Sequence, residues 1–308
     1  MRFTLTDEQT GFARSLDDLL SKADTAAVNR AWADGDHEPG LKLWSRLADL
    51  GVTVLATEAT PVEVCVAFEA LGRHAVPGPW VESAAYLPIA LPDVDLSEKR
   101  ATVAVPPHAP YALDADVAEE VYIVMDGDLQ TATAGDQVAS VDRSRRLFRV
   151  DRWSSAPEER GRVSRPLDQA FELAALATSA QLLGLGERVL ADTVAYAKQR
   201  KQFGREIGSY QAIKHQLADV RIALDFARPL VFGAAVDPTP RSVSAAKIQS
   251  ADAAHLAARV GLQVHGAIGY TEEYDLSRWL LRIRALQSAW GTPAYHRERL
   301  LTALLDAR

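Results

Sequence analysis

The feature that most limits what this chain can fold into is an unbroken helical run from Pro166 to Arg200. It spans roughly 50 Å at 1.5 Å per residue. Pro166 suits a first helical position, where its missing N–H would have no partner anyway. Three further runs follow at helical spacing: Ile213 to Phe232, alanine-rich Val243 to Val264, and Leu276 to Leu286. A last one covers Ala294 to Leu305, and Pro238-Thr239-Pro240 breaks the series once. Long antiparallel helices with alanine and glycine at their contacts predict a four-helix-type bundle, here over residues 165–308.

The chain before it divides in two. Residues 1–97 predict an N-terminal helical domain. Thr6-Asp7-Glu8-Gln9 is a capping-box pattern, and Phe12, Leu16, Leu19 and Leu20 follow at helical spacing. A polar break over Asp34 to Gly40 precedes a helix from Leu41 to Leu50, closed by Gly51. Val62 to Leu71 reads as another, with Gly72 after it. Pro77-Gly78-Pro79 stops the chain, and Val81 to Leu91 restarts a helix. Residues 98–152 change character. Ala101–Val105, Val121–Met125 and Arg146–Val150 are β-branched or aromatic, with turns expected at Asp126-Gly127-Asp128 and Ala134-Gly135-Asp136. Arg152 to Arg165 reads as a polar connector. The expected fold is mainly α with a small β domain: helical N-terminal domain, reduced β middle domain, helical C-terminal bundle.

Composition narrows the function. A formal charge of −7 with scattered basic residues argues against nucleic-acid or anionic-membrane partners. No apolar run approaches the roughly 20 residues that span a bilayer. Met1 to Gln9 reads as a helix start rather than a signal peptide, so a cytoplasmic location is expected. The single cysteine, Cys65, lies in an apolar run and reads as a buried, inert thiol. The seven histidines lack metal-ligand spacing, so no metal is expected. His296 reads as a surface or interface residue. Arg282 and Arg284, with Glu272, Glu273 and Asp275, read as solvated or intersubunit ion pairs.

The segment most suggestive of chemistry is Tyr196 to His215, containing Arg200-Lys201-Gln202-Phe203-Gly204 between two long helices. A guanidinium there can bind a pyrophosphate by forked hydrogen bonds, and an aromatic face can lie against adenine. Leu183-Gly184-Leu185-Gly186-Glu187-Arg188 lies upstream, and Gln211-Ala212-Ile213-Lys214-His215-Gln216 downstream. Further on comes Gln263-Val264-His265-Gly266-Ala267-Ile268-Gly269-Tyr270. Together these resemble the C-terminal domain of acyl-CoA dehydrogenases, and the resemblance extends loosely over the N-terminal third.

That resemblance implies α–β–α subunits around FAD, with the flavin ring on one subunit and the adenine end reaching a neighbour. The positions matching the trans-acting, adenine-facing half are Arg200, Gln202, Phe203, Ile207 and Gln211, then Gln263, Gly266 and Ala267. Ala267 stands where glycine is usual. The middle domain lacks the family's Thr-Glu-Pro-x-x-Gly-Ser-Asp-like segment and its flavin-contacting tryptophan, which implies that the flavin platform is lost. Trp153 reads as a packing residue. The usual base, a glutamate before a Gly-Thr pair, is matched by Trp290 in Ser288-Ala289-Trp290-Gly291-Thr292. Indole cannot accept a proton at neutral pH. The alternative base position falls on Ala174. Glu172 lies about 200° round the helix from it and reads as a solvated first-turn carboxylate. His265 could touch a cofactor, or cap and pack.

The expectation is therefore no catalytic residue on this chain. It resembles the smaller, non-catalytic subunit of the α2β2 acyl-CoA dehydrogenases that actinobacteria use on steroid side-chain CoA thioesters. FAD would be shared at the interface with a larger subunit that carries the base and most of the acyl-CoA pocket. Two alternatives stand beside it. One is a self-sufficient homo-oligomer with an unusual base. The other is a flavin-free relative, dehydratase-like or a scaffold.

Overall fold

The computed structural model describes residues 4–154, 166–271 and 274–306. The first helix, α1 (Asp7–Ser21), starts at the expected capping box. Thr6 Oγ1 accepts from the Gln9 amide at 3.2 Å, and Gln9 Oε1 accepts from the Thr6 amide at 3.0 Å. An unanticipated helix follows, α2 (Thr25–Ala33), capped by Asp24 in the left-handed region. α3 (Glu38–Asp49) begins inside the expected polar break, because Pro39 is tolerated in a first turn. Gly51, at φ 86°, ends the segment as expected.

After the short α4 (Leu55–Glu58) comes α5 (Pro61–Arg73). Gly72 lies inside α5, not after it. The reason is tertiary. A Cβ on Gly72 would fall under 3.0 Å from the Gln181 carbonyl of the long helix, and one on Gly184 under 3.0 Å from the Glu69 carbonyl. The two glycines thus let two backbones touch. The segment expected as a plain helix over Val81–Leu91 is a π turn (Glu82–Tyr86) followed by α6 (Leu87–Ala90). Pro88 offers no N–H to the Ala84 carbonyl, and the Leu87 amide reaches back to Glu82 O instead.

The middle of the chain is a five-stranded sheet: β1 (Ala101–Ala104), β2 (Ala112–Leu113), β3 (Glu120–Met125), β4 (Asp128–Val138) and β5 (Leu147–Ser154), in order β1-β3-β4-β5-β2. Only β1–β3 is parallel. Asp126 and Gly127, both at positive φ, make the expected β3–β4 turn. Ala134-Gly135-Asp136 is not a turn but an irregular stretch inside β4, where the register slips. Gly135 lies there beside the exposed carboxylate of Asp151 on β5. β5 pairs Trp153 with Ala132, while the side chain of Trp153 and residues 155–165 of the connector lie outside the described residues.

Two buried carboxylates tie the sheet to the helices. Asp114 Oδ1 accepts from the Trp32 indole at 3.1 Å and from Arg146 Nε at 3.1 Å. Asp142 accepts from Arg282, which also donates to Ser144 Oγ at 2.8 Å and to Val76 O at 3.1 Å. Arg282 is therefore an interior strut, 4% exposed, and not the solvated pair expected of it. Glu272 and Glu273 lie outside the described residues.

The remaining long helices are α7 (Leu167–Gln199), α8 (Gln211–Val236), α9 (Pro240–His265), α10 (Leu276–Leu286) and α11 (Pro293–Asp306). α7 runs through two hydrophobic cores. Its first half, to Ala180, packs with the N-terminal helices and β1. Its second half, from Leu182, packs with α8, α9 and α10. Gly184→Ala places a methyl group against backbone that cannot swing aside, and it should destabilise the chain by about 2 kcal/mol or more. A Cβ on Gly233 of α8 would meet nothing within 4 Å. Gly233→Ala should instead be neutral or stabilising, by up to roughly 1 kcal/mol. Urea unfolding midpoints of the two variants check this contrast.

Candidate functional site

The adenine-facing candidates gather at one end of the helical bundle. α7 ends at Gln199, and Arg200 is extended, its amide bonded to Tyr196 O at 2.9 Å. A hairpin follows, β6 (Lys201–Gln202) against β7 (Arg205–Glu206), pairing Gln202 with Arg205. Its two turn residues, Phe203 (φ 51°) and Gly204 (φ 80°), are both left-handed. Left-handed backbone is costly for a bulky aromatic, yet Phe203 is 93% exposed and packs on nothing that would offset the strain. The hairpin is braced from below. The Ile207 amide donates to Arg200 O at 2.8 Å, Tyr210 Oη to Gln202 O at 3.3 Å, and the Arg205 guanidinium lies 3.9 Å from the Tyr210 ring. Gly208 packs on the Ala197 backbone. Gln211 opens α8, which has no side-chain cap.

The second group reaches the same end through an aromatic contact. His265, the last residue of α9, stacks on Tyr196 at 4.2 Å, one turn before Arg200. Its Nδ1–H donates to Gly261 O at 2.7 Å. His265 is thus 5% exposed and holds the two helix ends together, which is the packing role among its two alternatives. Burial pushes its pKa down. Gln263, Gly266 and Ala267 are exposed, and Gly266 reverses the chain at φ 67°. Arg200 has no side-chain partner among the described residues. A free guanidinium, an uncapped helix N-terminus and an aromatic held out in solvent could together hold a pyrophosphate and an adenine. Nothing on this chain covers them from outside, among the described residues.

The base position is built quite differently. Trp290 is 1% exposed and left-handed (φ 55°), and lies against Tyr86 at 5.0 Å and Phe171 at 6.2 Å. Its loop is bonded throughout. His296 Nε2–H donates to Trp290 O at 2.9 Å, and its Nδ1 accepts from Ser244 Oγ at 3.1 Å. Lys247 Nζ donates to Leu286 O and Gln287 O at 3.1 Å, and to Gly291 O at 3.4 Å. Gly291 is obligatory, since a Cβ would strike the His296 ring. His296 is fully buried, correcting the surface role expected of it. Burial pushes its imidazole down to about 4 and the Lys247 ammonium down to about 7.

Glu172 is also corrected. It lies in the second turn of α7, 7% exposed, and is paired with Arg299 through both carboxylate oxygens. Arg299 is sandwiched near Phe171 and Tyr295. Ala174 is fully buried. Cys65 is fully buried and its thiol is pushed well up, as expected of an inert residue.

Sequence reasoning missed Glu82. It opens the π turn, is 3% exposed, and its Oε2 has no hydrogen-bond partner among the described residues. It faces a cavity of 670 Å³ shared with Trp290, Arg145 and His108. Burial raises its pKa, against the opposing pull of Arg145. The available signal was one glutamate in an otherwise apolar stretch, Val81 to Leu91.

The sequence profile described as acyl-CoA dehydrogenase, C-terminal domain, matches residues 164–305. Acyl-CoA dehydrogenase IpdE2 of Mycobacterium tuberculosis (strain ATCC 25618 / H37Rv) is 30% identical over 297 residues, covering 91% of this chain and 92% of that one. The solved ChsE4–ChsE5 complex of Mycobacterium tuberculosis superposes with TM-score 0.81 at 21% identity, covering 99% of each chain. The Tcur3481–Tcur3483 steroid acyl-CoA dehydrogenase superposes with TM-score 0.80 at 21% identity, again over 99% of each chain. The chain belongs to the acyl-CoA dehydrogenase family, and its kind of chemistry is oxidoreductase.

The locked base loop gives a pH prediction. His296 titrates near 4 in the fold and near 6.5 when unfolded. Between these values the unfolded chain binds a proton that the folded one rejects, so stability falls as pH drops from 6.5 towards 4. This one group contributes up to about 3 kcal/mol of that loss. His296→Gln should show a shallower fall than native protein over the same window, read as urea midpoints at successive pH values.

Proposed function

We propose that this chain is the smaller subunit of a heteromeric acyl-CoA dehydrogenase, supplying the adenine and pyrophosphate side of a shared FAD site. One observation carries the reading. The hairpin tip holds Phe203 in strained backbone, 93% exposed, beside an Arg200 with no side-chain partner among the described residues, while the base loop of the same chain is a closed, hydrogen-bonded knot around Trp290. An exposed aromatic at a conformational cost argues for a partner surface. A tryptophan whose loop is fixed by Lys247 and His296 argues against proton abstraction here.

When bound, FAD accepts hydride from the β-carbon of an acyl-CoA whose α-proton a base removes. In this reading Arg200 neutralises the pyrophosphate, helped by the amides that open α8. Phe203 and Ile207 offer apolar contact to the adenine, and Gln202, Gln211 and Gln263 offer hydrogen bonds. Gly266 and Ala267 let the α9 end approach closely. The larger partner brings the carboxylate base and the flavin platform. Glu172 is engaged by Arg299, which takes both of its carboxylate oxygens. The Tcur3481–Tcur3483 enzyme, a steroid acyl-CoA dehydrogenase, favours a bulky steroid-derived thioester as the substrate class. The small β domain would leave room for one.

Co-expression with a longer family member that carries the missing glutamate tests the assignment. The complex should hold one FAD per heterodimer, and this chain alone should neither purify yellow nor reduce flavin with an acyl-CoA. In the complex, Arg200→Ala should weaken FAD by ~10–100-fold, the scale of one charged hydrogen bond. The circular dichroism of the variant should stay native. Equal flavin occupancy in native and variant complexes at limiting FAD would remove Arg200 from the site. Flavin reduction by this chain alone would overturn the non-catalytic assignment, with Glu82 the first residue to test.

A further inference from the structure

The outer face of α8 carries apolar side chains that no described residue of this chain covers. Ile222 is 52% exposed, Phe226 67% and Leu230 41%. Four residues turn a helix by about 400°, so each lies only ~40° round from the last and the three form one stripe. The charges beside the stripe are already used inside the chain. Arg221 pairs with Glu187 at 2.7 Å and with Asp225 at 2.8 Å, and Arg228 pairs with Glu69 at 2.6 Å. An apolar stripe with its flanking charges neutralised fits a protein surface of the same kind.

The two ends of the same face select the partner. Eleven positions before Phe226 stands His215, and eleven after it stands Asp237. Both are exposed, and neither has a side-chain partner among the described residues. His215 lies within ~20° of Phe226 around the helix, and Asp237 caps the helix on that side. A twofold axis through Phe226 would set two α8 helices antiparallel. Phe226 then meets Phe226, Ile222 meets Leu230, and His215 meets Asp237, the last two contacts each made twice. Asp219 meets Gly233, which has no side chain to press on the carboxylate. The shallow crossing of about 20° common between packed helices keeps both ends in reach along the 26 residues of α8. An unrelated partner would have to match a histidine at one end and a carboxylate at the other independently. A second copy supplies both complements from these same two residues.

We propose that two copies of this chain pair through α8, antiparallel about a twofold axis at Phe226. Ile222, Phe226 and Leu230 supply the affinity, and the His215–Asp237 contacts set direction and register. The contact uses none of the adenine-facing residues, so it stands or falls apart from the flavin reading. In a heteromer it would join two of these chains to each other.

Sedimentation equilibrium of the full-length chain tests it. Native protein should form a dimer with a Kd of ~1–100 μM. Phe226→Glu sets two carboxylates on the axis and should weaken the dimer at least about 100-fold. His215→Glu opposes Asp237 with a like charge and should weaken it by about tenfold at low salt. Adding Asp237→Lys makes the charges opposite again and should bring the affinity back to within about threefold of native. Neither charge change removes an internal contact, and Asp237→Lys favours the C-terminal end of the helix. Circular dichroism checks that each variant is folded. If Phe226→Glu fails to fold, the charge exchange still decides. A native chain that stays monomeric at ~200 μM would overturn the proposal. So would a folded Phe226→Glu or a His215→Glu that associates like native, or a double variant no tighter than His215→Glu. A chain monomeric alone that loses a longer family member on Phe226→Glu would assign this face to the larger subunit and overturn it too.

Discussion

The structure hangs on a place where two helices touch without side chains between them. Gly72 of α5 faces the Gln181 carbonyl of α7, and Gly184 of α7 faces the Glu69 carbonyl of α5. No residue with a Cβ fits either position unless the helices part. This contact sets the axis of α7 against the N-terminal helices, and α7 in turn passes through both hydrophobic cores. Its first half carries Phe171 and Glu172 to the edge of the base loop. Its far end carries Arg200 and Phe203 out of the bundle. One close crossing therefore places both candidate sites.

The two sites differ in what their polar groups do. At the base loop three donors are engaged: Lys247 on three carbonyls, His296 between Trp290 and Ser244, Arg299 on Glu172. A buried network of this kind rigidifies a loop. It also explains how a bulky indole can occupy left-handed backbone, since the neighbouring carbonyls are held from several directions. At the tip the same kinds of residue are left open to solvent. Interior satisfaction at one place and exterior availability at the other are the physical contrast behind the functional reading.

Much of this is legible in the chain of letters. The capping box at Thr6, the turn at Asp126-Gly127, the glycine stop at Gly51 and the long helices beyond Pro166 all depend on local chemistry within a few residues. The clustering of Arg200, Phe203, Gln211 and Gln263 is legible because short motifs lie at helix ends, where geometry is set locally. Expectation and structure part where distant chain segments decide. Gly72 reads as a helix stop because local propensity cannot see Gln181. Gly135 reads as a turn because nothing nearby reveals that β5 pairs with β4 on both sides of it. His296 and Arg282 read as solvated because polar residues usually are, and their partners Ser244, Trp290 and Asp142 are remote or hidden in the loop.

Residue type and spacing along a few turns are enough to set the order of helix, sheet and helix and the ends of most long elements. They are not enough to show that Phe203 stands free while Trp290 is sealed, that Glu172 is consumed by Arg299, or that Glu82 faces a cavity with an unmade hydrogen bond. Those features arise when the chain folds back on itself. Burial and pairing are properties of surfaces that meet across the fold, so no local pattern of residues encodes them.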